Sequence, residues 1–506
     1  MNVLLKISFV SLLITIASCD KSNNNNPASN HPASESSSNV QGDGGQGSGG
    51  PPPISLSGDI YTENEENPFV EVAQTPVSTF SIDADGASYS NIRRFLTVDK
   101  KLPPKGAVRT EELINYFELD YELTHPAHPI SVNGEVSGSP WNESNRLIRI
   151  GLKGKKIPAE ELPPSNFVFL IDVSGSMGSE DKLDLLKNGF NYFVDEMSAE
   201  DRVAIVTYAG SADIVLESTL GSEKETIKNA INRLGSGGST AGAQGIITAY
   251  EIAQQYQVAN GNNRIVIGTD GDFNVGPSSQ KELVNLIKEK RELGIFLTVL
   301  GVGRGNLNDA ALEQIADSGN GTYEYIDSLE QLRKVFIYDY NKFFTVAKDV
   351  KIQVKFNPEN VKAYRLVGYE NRRLNQEDFT DDSKDAGEMG SNQNITALYE
   401  IVPSGNPNNA SIPAFTIDFR YKLSDADAST PLELEIFDNG NTFEQSSDFM
   451  KFTAATASFG MLLSDSQYKG ASSYDNIISW LDSTTLKDEH GFKVQFKHLV
   501  QTAKGL

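Results

Sequence analysis

Cysteine is almost absent: one residue, Cys19, in a chain of 506. That excludes an intramolecular disulfide framework and a thiolate zinc cage. Histidine is scarce too, with five residues and none between His128 and His490. A stretch that long without imidazole cannot carry a Ser-His-Asp triad, whose general base is histidine. Positive charge is in deficit, with 44 Lys and Arg against 68 Asp and Glu and a formal net charge of -24. This balance disfavours nucleic acid, whose phosphates require clustered Lys and Arg. It equally disfavours docking on anionic lipid by charge. No Gly-x-x-x-x-Gly-Lys-[Ser/Thr] phosphate loop occurs, which argues against nucleotide hydrolysis. Carboxylates and hydroxyls are abundant, so a divalent metal would be held mainly by oxygen. The hydrophobic share of 38% supports packed cores, and the length suggests roughly two to four domains.

The first residues read as a targeting segment. Lys6 precedes an apolar stretch over 7–17, shorter than the ~20 residues of a membrane-spanning helix but suited to a secretory signal. It ends in Ile16-Ala17-Ser18-Cys19. This resembles a bacterial lipobox, which implies cleavage after residue 18 and lipidation of Cys19. A lipid chain anchors a protein to a membrane without spanning it. The expected location is the cell envelope, with inner or outer membrane left open. Residues 19–58 follow as a tether containing Asn23-Asn24-Asn25-Asn26, Ser36-Ser37-Ser38 and Pro51-Pro52-Pro53. This composition predicts disorder. As a Gly/Ser-type coil it would span roughly 30 Å on average and ~100 Å when stretched.

Over 161–345 the pattern changes to short continuous apolar runs alternating with amphipathic segments. The runs are 167–171, 203–206, 265–267 and 295–300. Continuity indicates strands buried on both faces of a parallel sheet. Leu183, Leu186, Phe190, Phe193, Val194 and Met197 share one helical face. The alternation predicts a doubly wound, Rossmann-like α/β domain. Ligands of such a domain bind outside the carboxyl ends of its strands. Asp172 closes the first run, in Asp172-Val173-Ser174-Gly175-Ser176, and Asp270 closes another, in Thr269-Asp270-Gly271-Asp272. Gly237-Gly238-Ser239-Thr240 lies in a third loop. In an extended loop, side chains two apart face the same way, so Ser174 and Ser176 can join Asp172 toward one ion.

These three elements, in this order, resemble the metal-ion-dependent adhesion site (MIDAS) of von Willebrand factor type A (VWA) domains. The resemblance implies a Mg²⁺ or Mn²⁺ site with Asp172, Ser174, Ser176, Thr240 and Asp270 as ligands. It further implies an open coordination position, filled by a Glu or Asp of a partner protein. Few direct carboxylates and retained waters suit Mg²⁺ better than Ca²⁺. Asp272 is expected to be solvated or to sit behind the ligands. The competing reading is that these Asp and Ser residues only cap the following helices.

Enzyme readings fit poorly. A haloacid-dehalogenase-like phosphatase uses Asp-x-Asp, whereas Ser174 stands at the second position. Ser174 and Ser176 also lack a Gly-x-Ser-x-Gly elbow. His125 and His128 are flanked by Pro126 and Pro129 and read as a loop. Asp83 and Asp85 lack the further ligands of an EF-hand and read as a helix cap. The acidic run from Glu377 to Glu388 reads as a solvated loop.

The flanks are expected to hold helices and then strands over 59–160, β-rich sequence over 346–450 and a helical segment over 451–506. Period-two alternation at 350–356 indicates antiparallel sheet with one wet face. Segments such as Val108-Arg109-Thr110-Glu111-Glu112-Leu113 and Tyr364-Arg365-Leu366-Val367-Gly368 resemble those bracketing the A domain in a family of bacterial envelope lipoproteins. Neither strand set is self-sufficient, so the two are expected to pair as one mainly antiparallel β-sandwich with the VWA domain inserted in it. The combined expectation is a non-enzymatic, lipid-anchored protein that binds an acidic protein partner through its metal, in adhesion or envelope assembly. The alternative is an accessory factor acting with a separate AAA+ ATPase in envelope-complex or metal-centre assembly.

Overall fold

The computed structural model describes residues 58–506 apart from 83–84, 125, 239–241, 272–279, 385, 406–410 and 425–427. Cys19, Asp83, His125, Thr240 and Asp272 therefore lie outside the described residues.

The central sheet has six strands. Their spatial order is Tyr323–Ile326, Phe296–Val302, Asn262–Thr269, Ser165–Asp172, Arg202–Tyr208, Ala212–Leu220. Every pairing is parallel except the last, which is antiparallel. The strand Ser165–Asp172 is buried along its whole length, because each face meets a different helical layer. Phe167, Phe169 and Ile171 pack with Leu186, Phe190, Ile227 and Ile231. Val168 and Leu170, pointing the other way, pack with Ile246, Tyr250, Leu283 and Leu312. All six apolar residues of the first predicted helical face, Leu183 to Met197, are buried. The edge strand Ala212–Leu220 exposes Ile214 and Val215, so a reading based on buried runs passes over it.

The flanks build two further sheets on a shared core that includes Phe80, Ile130, Ile352, Ile395 and Ile417. In each sheet, strands from before and after the central domain pair directly. Arg146–Gly154 runs antiparallel to Asn394–Pro403, and Val77–Ser81 antiparallel to Thr345–Phe356. The inserted domain thus leaves and re-enters one sandwich, as its strand patterns predicted. The two crossings are tied together: Gly154 N donates to Gln393 O at 2.8 Å, and Ser391 N to Phe344 O at 2.8 Å.

The terminal helical segments form one layer. Tyr89, Leu113 and Phe117 from the N-terminal flank pack against Phe452, Phe459 and Phe496 from the tail. Asp85 differs from expectation. The helix Ala87–Thr97 has Gly86 at its N-cap and no side-chain cap. Asp85 instead accepts from Tyr323 N at 2.7 Å and from Arg372 at 3.2 Å. Its carboxylate is used to pair the open edge of the central sheet, where an unsatisfied backbone donor would otherwise remain. His128 sits in the turn before the strand Ile130–Gly138 and bonds the Tyr421 hydroxyl at 2.8 Å. Among the described residues, no helix is long and apolar enough to cross a membrane.

Candidate metal centre

Parallel neighbours place Asp172 and Asp270 at one edge of the central sheet. Asp172 ends the strand Ser165–Asp172, and Asp270 immediately follows Asn262–Thr269. Both carboxylates are fully buried. Asp172 accepts from Ser174 N at 2.8 Å and from Thr269 Oγ1 at 3.1 Å. The turn that brings Ser174 back to Asp172 also brings its hydroxyl to 3.0 Å from that of Ser176. Ser176 in turn hydrogen-bonds Asp270. Ser174 is buried and Ser176 exposed, so the group opens to solvent at Ser176.

Four of the five expected ligands therefore meet. For the fifth, Thr240, the described part of its loop is tied down beside the others. Gly237 N donates to Val173 O at 2.7 Å, and Gly175 N to Gly238 O at 3.2 Å. Gly238 has φ +93, a conformation that glycine adopts without steric cost.

The two carboxyls are tuned in opposite directions. Burial pushes the Asp172 carboxyl up; the Ser174 bonds oppose it and the Asp270 charge adds to it. Burial also acts to raise Asp270, but bonds from Asn306, Ser176 and Lys182, with the Lys182 charge, hold it below the usual carboxylate range. Among the described residues, no group of three or more His, Cys, Asp or Glu can hold a metal. A cation here would thus draw on hydroxyls as well as two carboxylates, a hard oxygen set that fits Mg²⁺ or Mn²⁺.

Sequence reading missed the basic group of this site. Lys182 Nζ contacts Asp270 Oδ2 at 3.0 Å, Asn306 Oδ1 at 2.9 Å and Ser176 O at 3.0 Å. Its stem crosses Gly303, where an added Cβ would lie 2.2 Å from Lys182 Cε. One signal was present: Lys182 stands four residues before Leu186, on the stripe that faces the core. Tyr208 is also buried beside Asp172 and Thr269.

Three family models match successive stretches of the chain. The von Willebrand factor type A domain family matches residues 166–336, and a von Willebrand factor family matches 55–149. The C-terminal family of "Uncharacterized protein YfbK" matches 341–506. YfbK of Escherichia coli (strain K12) is 39% identical over 469 residues, which cover 88% of this chain and 81% of that relative. A UPF0353 protein of Mycobacterium sp. (strain KMS) is 28% identical over 194 residues, 33% of this chain and 57% of that protein. Among solved structures, a von Willebrand factor type A protein from Catenulispora acidiphila aligns with TM-score 0.43 and 16% identity. It covers 75% of this chain and 91% of its own. BatB from Bacteroides thetaiotaomicron aligns with TM-score 0.31 and 23% identity, over 35% of this chain and 98% of its own. The chain belongs to the YfbK family of von Willebrand factor type A domain proteins.

Proposed function

We propose that this protein is a non-enzymatic binding protein, tethered to a membrane of the cell envelope through lipidated Cys19. It captures an acidic side chain of a protein partner through Mg²⁺ or Mn²⁺ at Asp172, Ser174, Ser176, Thr240 and Asp270. The observation that carries this reading is the convergence of Asp172, Ser174, Ser176 and Asp270 at one sheet edge, open to solvent at Ser176.

When bound, the cation supplies an electrophilic position for a partner carboxylate. The chain's own residues prepare that position. Ser174 N and Thr269 Oγ1 fix both oxygens of Asp172. The serine hydroxyls would add oxygen donors without adding negative charge beyond that of the two carboxylates. Asn306 and Lys182 hold Asp270 ionised. The lipid anchor rests on the Ile16-Ala17-Ser18-Cys19 sequence and on Cys19 being the only cysteine.

The test is calorimetric titration of Mg²⁺ and Mn²⁺ into metal-free protein and into Asp172→Ala. One saturable site is expected in the parent and none in the variant; equal binding by both would overturn the assignment. EDTA-sensitive capture of a partner from envelope extract, lost in Asp172→Ala, tests the binding role. Metabolic labelling with a fatty acid, lost in Cys19→Ser, tests the anchor.

A further inference from the structure

A cleft of about 640 Å³ lies between the amino-terminal edge of the central sheet and the sandwich flank. That volume suits a small ligand. Its lining contains eight Lys or Arg against five Asp or Glu, in a chain whose overall charge is -24. Arg264 lies in the strand Asn262–Thr269, at the end opposite Asp270. At ~3.3 Å per residue the two are about 20 Å apart.

Part of this positive charge is structural. Lys334 and Lys342 pair with Asp339, and Arg372 with Asp85 and Asp317. Arg264 has no such account. It is 4% exposed, and its guanidinium bonds only neutral acceptors, Thr298 Oγ1 at 2.9 Å and Phe343 O at 3.2 Å. Its Nε is buried without a hydrogen-bond partner among the described residues. It lies against the rings of Phe296 and Phe343. Burial pushes it down to about 10, with Glu388 acting in the other direction. A buried charge without an opposite charge in contact is costly, and a packed core would place an apolar residue there. Around it, Lys288 on the helix Gln280–Arg291, and Arg373 and Lys384 on the flank, are exposed at the cleft.

We propose that this cleft is a second binding site, for a small polyanion carrying phosphate or carboxylate groups. Arg264 is its buried anchor, and Lys288, Arg373 and Lys384 close around the ligand from both lobes. Guanidinium groups pair such oxyanions through charge-assisted hydrogen bonds, and Arg264 lines the cleft without a carboxylate bonded to it. The proposal is independent of the metal centre, which is at the other end of the strand.

The test uses full-length protein in EDTA, titrated with pyrophosphate and, separately, citrate, by calorimetry. At least one is expected to bind with one site, and the difference between them identifies the phosphate or carboxylate class. Arg264→Gln and the exposed double variant Lys288→Glu/Arg373→Glu should each weaken that binding by at least roughly tenfold. The double variant carries the test if Arg264→Gln does not fold. Absence of binding by both anions at millimolar concentration, or equal binding by the parent and the double variant, would overturn the proposal.

Discussion

Lys182 gives the candidate centre its sharpest test. Its ammonium lies 3.0 Å from the Asp270 carboxylate, with both side chains buried. At an effective dielectric of ~20, the gross attraction at that separation is about 5 kcal/mol. Desolvation offsets part of it, and removing one partner of such a pair costs about 3–5 kcal/mol. Lys182→Met keeps the stem across Gly303 and deletes the ammonium with its bonds to Asp270, Asn306 and Ser176 O. In EDTA the variant should therefore lose up to about 3–5 kcal/mol of stability, because Asp270 stays buried without its ammonium partner.

Metal reverses the sign of the effect. On the proposed reading a divalent cation would satisfy Asp270, so whatever strain binding relieves would reappear as affinity. The Mg²⁺ dissociation constant of Lys182→Met should fall by at least about tenfold, and by up to ~10³ if relief is complete. Both tryptophans, Trp141 and Trp480, lie outside 161–345, so scanning calorimetry is a better readout than tryptophan emission. Scans with and without Mg²⁺ should show a larger metal-induced rise in midpoint for the variant than for the parent. An unchanged or weakened dissociation constant would refute the idea that Lys182 competes with the cation for Asp270.

Gly271→Ala should damage the same site from the backbone. Gly271 has φ +92, and an added Cβ would lie 2.4 Å from Asn308 N. The strain costs about 1–3 kcal/mol and shifts Asp270, so weaker Mg²⁺ binding is expected by calorimetry. Glu324 tests the cleft's electrostatics. Burial, with Lys334 acting against it, pushes its carboxyl up to about 7. A raised folded value means stability that is complete below the unfolded value near 4.5 and lost as pH rises through about 7. The loss is about 3 kcal/mol at most. Glu324→Gln should remove that dependence, so its stability relative to the parent rises between pH 4.5 and 8 in urea unfolding; a flat difference would refute it. Arg109→Met should cost about 3–5 kcal/mol, because it removes the guanidinium paired with two buried carboxylates, Asp309 and Glu112. A loss below ~1 kcal/mol by denaturant titration would contradict the ion network.

The parallel core was legible because strands covered on both faces read as unbroken apolar runs, as in Phe167 to Ile171. The insertion was legible because period-two strands stood on both sides of that core. The edge strand Ala212–Leu220 was not, since exposure of Ile214 and Val215 breaks the link between apolar sequence and burial. That Asp172, Ser174, Ser176 and Asp270 share one sheet edge was legible through their spacing at strand ends. Lys182, Thr269 and Asn306 were harder to see. Lys182 and Asn306 come from segments distant from Asp270, and the closed sheet edge brings them to it, as it brings Thr269 to Asp172. Asp85 misled because an acid before a helix caps it in the local picture, whereas here the nearest unpaired donor belongs to a strand 238 residues away.

That long-range contact belongs to a wider pattern. The inserted domain is completed by basic residues of its flank. Arg93 reaches Asp327 at 2.5 Å and Gln331 at 2.9 Å. Arg109 reaches Asp309 at 2.6 Å, where Tyr323 and Asn91 also bond. Ala87, from the flank, lies within the core of the central domain itself. Buried ion pairs add little net stability over an apolar packing of the same volume, but they fail when mismatched, and so they specify one docking. Two covalent crossings alone would leave the inserted domain free to rock on the sandwich. These arginines fix it through the segments at 309–331, which close the central sheet on the side away from Ala212–Leu220. A force applied at the sheet edge that carries Asp172 and Asp270 would therefore be carried into the sandwich through buried charge as well as through the chain.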